Sequence, residues 1–192
     1  MERVTQTDDR TLRTLAHIRT ALEEMIVEMD AGKITVSELA KRAGIHRKTF
    51  YLHYETIDYL YDELANDIAQ ELYRVVDKVF ELSSEFDLGV CLGVYGELLS
   101  DNEPLHRQLF CNDSYSMVYQ RVQAAASEYF YHKLLEISGG APELTEAISL
   151  FITYGLNAIW RNYFIYGRPK DPGRLKMLSA SLTEMLRNSA SS

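Results

Sequence analysis

The densest chemistry in the chain lies between Leu39 and Tyr54. This stretch holds no acid, while Lys41, Arg42, Arg47 and Lys48 place cations at close intervals. The hydroxyls of Thr49 and Tyr51 and the ring of His53 share the segment. A compact basic island of this kind suits short-range contact with phosphate groups, because attraction between exposed charges survives only over about 10 Å of salty water. The whole chain would point elsewhere. Its 20 Lys and Arg against 28 Asp and Glu leave a net charge of −8, which ordinarily disfavours nucleic acid. Residues 1–54 hold nine cations and eight acids, a balance of +1, and residues 55–192 hold eleven and twenty, a balance of −9. A locally basic head on an acidic body is the result.

Other reactive residue types fall in no working arrangement. His132 and Glu136 are one helical turn apart and His106 lies earlier in the chain, but no third ligand accompanies them, so no metal site is expected. Cys91 and Cys111 form no C-x-x-C pair, which predicts buried small side chains in a reducing compartment rather than a zinc site or redox centre. No nucleophile elbow, phosphate-binding loop, zinc-protease motif or dinucleotide fingerprint is present, so neither an enzyme nor a cofactor is expected. The opening MERVTQTDDRTLRT has no apolar stretch behind its charges, and no apolar run approaches the roughly 18 residues of a membrane span. These features predict a cytoplasmic protein with no membrane partner.

The elements that must position the island read as helices throughout. Gly 10 and Pro 4 among 192 residues are too few for a many-turned sandwich, and 46% hydrophobic with 25% charged residues is an ordinary globular balance. Leu12, Leu15, Ala16, Ile18, Leu22, Met25, Ile26 and Met29 recur at three- and four-residue spacings and predict an amphipathic helix over 8–30, ended at Ala31-Gly32-Lys33. Thr35-Val36-Ser37-Glu38 reads as a capping box opening a short helix over 36–42. A second short helix follows over 46–53, and a long one over 57–82 presents Leu60, Leu64, Ile68, Leu72, Val75, Val76 and Val79 on one face. A joint at Ser83-Ser84 precedes helices over 88–100, 105–109, 114–138, 142–166 and 172–188, with breaks at Gly139-Gly140 and from Gly167 to Pro172, and a fraying tail from Ser189. The predicted fold class is all-α, with an N-terminal three-helix head over 1–56 and a larger helical domain over 57–192.

Within the head, VSELAKRAGIHRKTFYLHY at 36–54 is the most specific pattern. Two short helices cross steeply only if the turn between them contains a residue free to take positive φ, and Gly44 supplies it. Ala40 must be small where the second helix packs over it, and Leu39, Ala43, Ile45 and Phe50 are expected to point inward. This is the helix-turn-helix arrangement, whose second helix enters the major groove of DNA.

These residues resemble the TetR family of bacterial transcriptional regulators. The family pattern is matched at Thr35, Val36, Leu39, Ala40, Ala43, Gly44, Ile45, Thr49, Phe50, Tyr51 and His53, and with its flanking helices it spans about a quarter of the chain. Gly155, Tyr163 and Gly167 are similar to the ending of one branch, with Tyr where Trp is usual. The resemblance implies a homodimer that binds a palindromic double-stranded DNA operator and acts as a repressor released by a small-molecule effector; an activator or coactivator governed by a protein partner is the alternative. It further implies DNA contacts from Thr35, Arg47, Lys48, Thr49, Tyr51 and His53, with Arg47 able to donate two bonds to guanine and Lys48, Tyr51, His53 and Thr35 gripping phosphates. Two positions depart from the pattern. His46 stands where Ser usually caps the recognition helix, and Ile57 stands where Lys usually starts the next one.

By the same resemblance Tyr95, Tyr119 and Tyr154 are candidates to line an effector pocket enclosed by the central helices. Two apolar stripes suit a dimer interface, Ile148, Ile152, Gly155 and Ile159 on one helix and Leu175, Leu178, Leu182 and Met185 on the next. Packed against a symmetry mate they would form four helices.

Overall fold

The computed structural model describes residues 2–82, 87–138, 141–167, 177 and 179–185, and among these there are helices, turns and no strand. The helices are α1 (Glu2–Glu28), α2 (Val36–Arg42), α3 (Arg47–Tyr51), α4 (Ile57–Leu82), α5 (Leu88–Asp101), α6 (Glu103–Cys111), α7 (Ser116–Ser138) and α8 (Pro142–Tyr166). Short 3-10 turns occupy Ala31–Lys33 and Asp113–Tyr115. Residues 179–185 are also helical, within the expected last helix. The expected breaks at Ser83-Ser84, at Gly139-Gly140 and from Arg168 to Pro172, the tail from Ser189, and Leu175 and Leu178 lie outside the described residues.

Among the described residues the expected boundaries match to within two residues except at the start of α1. α1 starts at Glu2 rather than near Asp8, and its buried stripe is Ile18, Ala21, Leu22, Met25 and Ile26, while Leu12 is 59% exposed. α3 is shorter than expected at both ends, and α6 is longer, running from Glu103 to Cys111.

The chain packs as two compact units that differ in extent from a simple division after residue 56. Unit 1 comprises residues 1–65 together with 104–118, and unit 2 comprises 66–103 with 119–192. α6 and the turn after it belong to unit 1 because polar groups bind them to the end of α1. The Gln108 side-chain amide donates to the Val27 carbonyl at 3.2 Å, the Tyr115 hydroxyl to the Met29 carbonyl at 2.6 Å, and the Asn112 amide to the Asp30 carboxylate at 3.0 Å. The Ala31 N–H donates in turn to the Ser114 hydroxyl at 3.1 Å. Asn112, then Lys33, hold the Asp30 carboxyl below its ordinary value.

In unit 2 the core gathers Val79 of α4, Leu88, Cys91, Leu92 and Val94 of α5, Phe130 of α7 and Ile152 of α8. Asp87 caps α5 by accepting from the Gly89 and Val90 amides at 2.7 and 3.2 Å, satisfying donors that the first helical turn leaves open. The Leu88 N–H donates to Thr183 Oγ1 at 3.1 Å, which ties the last helical residues to the same helix end. Gly96 lets the Trp160 indole lie directly on α5, where an added Cβ would meet its ring carbons.

Candidate nucleic-acid interface and effector cavity

The start of α2 is set by Thr35, whose extended backbone leaves its Oγ1 free to accept from the Glu38 amide at 3.2 Å. α2 ends when the Gly44 N–H donates to the Lys41 carbonyl at 3.2 Å and the Ile45 N–H reaches back to Ala40 at 3.0 Å. That closure requires the left-handed backbone of Gly44, at φ +67. Leu39, Ala40, Ala43 and Phe50 are buried, whereas Ile45, expected inside, is only half-buried at the edge of the turn.

α3 then begins at His46 with no side-chain cap, so its first amides lack the oxygen a Ser would give. The Thr49 and Phe50 amides both turn back to the His46 carbonyl, at 2.8 and 3.2 Å. Phe50 anchors the helix from below. Its ring meets Tyr51 edge-on at 5.6 Å and Tyr54 at 5.5 Å, and it is fully buried.

Around that anchor Thr35, Arg47, Lys48 and Tyr51 are exposed, and Thr49 and His53 are half-buried. Arg47 and Lys48 enter no ion pair among the described residues. Arg42 differs: it donates to both oxygens of Glu28, at 2.7 and 2.6 Å, and lies 3.8 Å from Glu24. Its hydrogen bond to Glu28 raises the Arg42 guanidinium above its ordinary value and lowers the Glu28 carboxyl. The basic island inferred from composition is therefore smaller by one cation. Two exposed residues lie beside the expected contacts without having been given a contact from sequence, although Lys41 was counted in the basic island. Lys41 has no ion-pair partner among the described residues, and Leu52 is 79% exposed just past Tyr51. An unpaired Lys inside an acid-free stretch was a readable signal for the first; nothing in the pattern marked the second.

Unit 2 contains a cavity of about 50 Å³ walled by apolar residues of α4, α5, α7 and α8, including Leu72, Val79, Phe130 and Ile152. Tyr95, Thr153 and Asn157 form its polar end. Of the three tyrosines expected around an effector, Tyr95 is brought there and Tyr119 and Tyr154 are not among the lining. Tyr154 is 54% exposed and faces a separate groove with Glu128, Tyr131 and Glu146. The reason is helical phase: on α8, Asn157 and Thr153 point inward with Ile152, leaving Tyr154 on the opposite side.

No family model matches the chain, and no curated protein sequence does. Solved structures do. NalD, the secondary repressor of the MexAB-OprM multidrug efflux pump in Pseudomonas aeruginosa, is 18% identical with a TM-score of 0.61, covering 94% of this chain and 96% of its own. The TetR family repressor AlkX from Dietzia sp. strain DQ12-45-1b, implicated in biodegradation of n-alkanes, is 17% identical with a TM-score of 0.52, covering 92% and 95%. The fold is that of the TetR-family repressors.

Within this TetR-like fold, the stripe expected at a dimer interface is in part covered by the subunit itself. Ile152 is 3% exposed and belongs to the unit's own core, with Ile148 and Ile159 packed against it. Gly155, half-buried like Ile148 and Ile159, borders open space, where an added Cβ would touch nothing. The outward apolar face of α8 carries Leu144, Phe151, Tyr154 and Ile165, at helical spacing, with Phe151 61% exposed. Leu182 and Met185 are exposed on the last helical residues. Among the described residues no cluster of His, Cys, Asp or Glu could hold a metal, and no helix is long and apolar enough to cross a membrane.

Proposed function

We propose that the chain is a homodimeric transcriptional repressor that reads a palindromic operator with α3 and is released by a small molecule bound in unit 2. The observation that carries this reading is the pairing state of the cations. Arg47 and Lys48 stand exposed and unneutralised among the described residues, on a helix whose direction is fixed by the Gly44 turn, while Arg42 is spent on Glu28. Arg47 and the hydroxyl of Thr49 face bases; Lys48, Tyr51, His53 and Thr35 hold phosphates on either side. Leu52 adds an apolar tip suited to a thymine methyl. Both AlkX and NalD are repressors, which supports that sign of regulation.

Self-association follows from the operator's symmetry, since two recognition helices must lie about 34 Å apart or a near multiple to read a palindrome. The outward face of α8, around Phe151, Tyr154 and Gly155, is the contact surface, together with the exposed Leu182 and Met185.

The test is selection of bound fragments from a random DNA pool, followed by fluorescence anisotropy of the full chain at several salt concentrations. A palindrome should emerge. Arg47→Ala with Tyr51→Ala should abolish binding to it, and Lys48→Ala should weaken all sequences alike and lower the salt slope by about 1. Absence of DNA binding above background at low salt overturns the proposal. An affinity unchanged by metabolites but altered by a protein partner would replace effector release with control by that partner.

A further inference from the structure

The cavity in unit 2 has no charged lining. None of Lys, Arg, His, Asp or Glu borders it, and its walls are aliphatic and aromatic apart from the end formed by Tyr95, Thr153 and Asn157. Burial pushes the Cys91 thiol, on the wall, up to about 12 and holds the Tyr95 phenol well above its usual range. Both groups stay protonated at neutral pH, and the cavity offers a bound ion no counter-charge. An unpaired ion taken from water into such a place loses its hydration without return.

The polar end is also selective in hydrogen-bond sense. The Tyr95 hydroxyl donates to Asn157 Oδ1. Asn157 Nδ2 donates to the Thr153 carbonyl at 2.9 Å and to Gln123 Oε1. The Thr153 hydroxyl donates to the Ser149 carbonyl at 2.8 Å and lies 2.8 Å from the Ser127 hydroxyl. The donors of all three lining groups are thus committed within the protein. What remains is acceptor capacity, on the Tyr95 phenolic oxygen and the second lone pair of Asn157 Oδ1. The buried Gln123 Nε2 has no partner among the described residues, but Gln123 does not line the cavity.

We propose that the ligand of this cavity is a small uncharged molecule with an apolar body and a single hydroxyl, which donates to the Tyr95–Asn157 pair. The proposal rests on reading unit 2 as the effector-binding part, and it names the effector's class. A volume of about 50 Å³ exceeds the 10–15 Å³ or so that admits one water, so the enclosed portion is that of a short alkyl chain. Val75, Val76 and Leu156 are only half-buried and form the side through which a longer tail would leave.

Four six-carbon probes separate the alternatives: 1-hexanol, 2-hexanone, hexanoate and hexylammonium. Their affinities for the full chain, without DNA, are read by saturation-transfer difference NMR at neutral pH. 1-Hexanol should bind at least about tenfold more tightly than either ion and several-fold more tightly than the ketone, which cannot donate. Tyr95→Phe combined with Asn157→Leu keeps the shape and removes both accepting oxygens. It should erase the advantage of 1-hexanol over 2-hexanone while leaving the ketone's affinity within about twofold. Val76→Phe, which fills the cavity from its half-buried side, should weaken both neutral probes and serves if the double variant fails to fold. An ion bound as tightly as the alcohol, an alcohol preference that survives removal of both accepting oxygens, or no binding by any of the four overturns the proposal. If 1-hexanol binds as stated but leaves DNA affinity unchanged, the ligand class stands and the effector-release reading falls.

Discussion

Replacing Gly44 with Ala isolates what the helix-turn-helix asks of its backbone. At φ +67 an added Cβ meets nothing within 4 Å, so the substitution carries no packing clash. The whole cost is conformational: an L-residue held in the left-handed region gives up about 1–2 kcal/mol. Restricting the unfolded chain by removing a glycine offsets about 0.4–1 kcal/mol of that. The net loss should be about 1 kcal/mol, a fall of about 2–4 °C in the melting midpoint for a chain of this size. Gly44→Asn should fall between wild type and Ala, because Asn tolerates this backbone better. Circular dichroism melts of the three proteins measure the ranking, and anisotropy on the selected operator measures the functional effect. The Gly44 and Ile45 amides close onto Lys41 and Ala40 only in this geometry, so a relaxed turn would re-aim α3, and DNA affinity should fall by more than the stability loss alone accounts for. An Ala variant as stable as wild type with full DNA affinity would show that the turn does not hold α3 by a left-handed residue. A loss beyond about 3 kcal/mol, outside the range for backbone strain, would mean that the site is crowded.

Gly96 should behave in the opposite way. Its Ala variant should lose stability by about 1–3 kcal/mol through overpacking against Trp160, Asn should not help, and Trp160→Phe should rescue Gly96→Ala in thermal melts. Native-state titration with a thiol reagent at pH 8 should modify Cys111, which is half-buried, well before Cys91, whose burial pushes it up to about 12 and leaves it protonated; two thiols reacting at one rate would contradict the packing around α5. The Asp77 carboxyl is held below its ordinary value chiefly by Lys133, 2.8 Å away, with help from the Tyr129 hydroxyl. A lowered carboxyl contributes stability above its unfolded value and loses it as pH falls through the folded one, so Asp77→Asn should be less stable than wild type at pH 7, with the difference shrinking as the pH falls below the usual carboxylate range.

The head was legible in the sequence because its constraints are local. Thr35 must cap within three residues, Gly44 must reverse the chain within two, and Phe50 must be buried beside a half-buried Thr49 and an exposed Tyr51. Each of these leaves a mark at fixed spacing. Arg42 was not legible. Its partner Glu28 lies fourteen positions back, across a turn, and nothing in composition distinguishes a cation that folds against a neighbouring helix from one left facing solvent. Arg42 and Arg47 are the same residue type five positions apart, and only packing separates their roles. The extent of unit 1 escaped for a related reason: Gln108, Asn112, Ser114 and Tyr115 join the head through main-chain and side-chain hydrogen bonds to residues about eighty positions earlier. Such bonds have no periodic signature.

The α8 stripe shows a limit of periodicity with a functional consequence. A helix with apolar residues on two sides satisfies two repeats at once, and the repeat does not say which side the subunit covers for itself. Here the β-branched residues Ile148, Ile152 and Ile159 go inward, where their stiff side chains pack against α4, α5 and α7. The side left over carries Leu144, Phe151, Tyr154 and Ile165 with the small Gly155 among them. Large apolar side chains at successive turns, around a glycine that lets another backbone come close, form a patch of the kind that marks an interaction surface. On the proposed reading that surface supplies the two-fold contact a palindrome requires, so Phe151→Asp should produce monomers in sedimentation and weaken operator binding without unfolding either unit, because Phe151 is 61% exposed within its own chain. The corresponding change at Ile152 should instead unfold unit 2, and if the two substitutions gave the same result, the division of α8 into a covered side and an open side would be wrong.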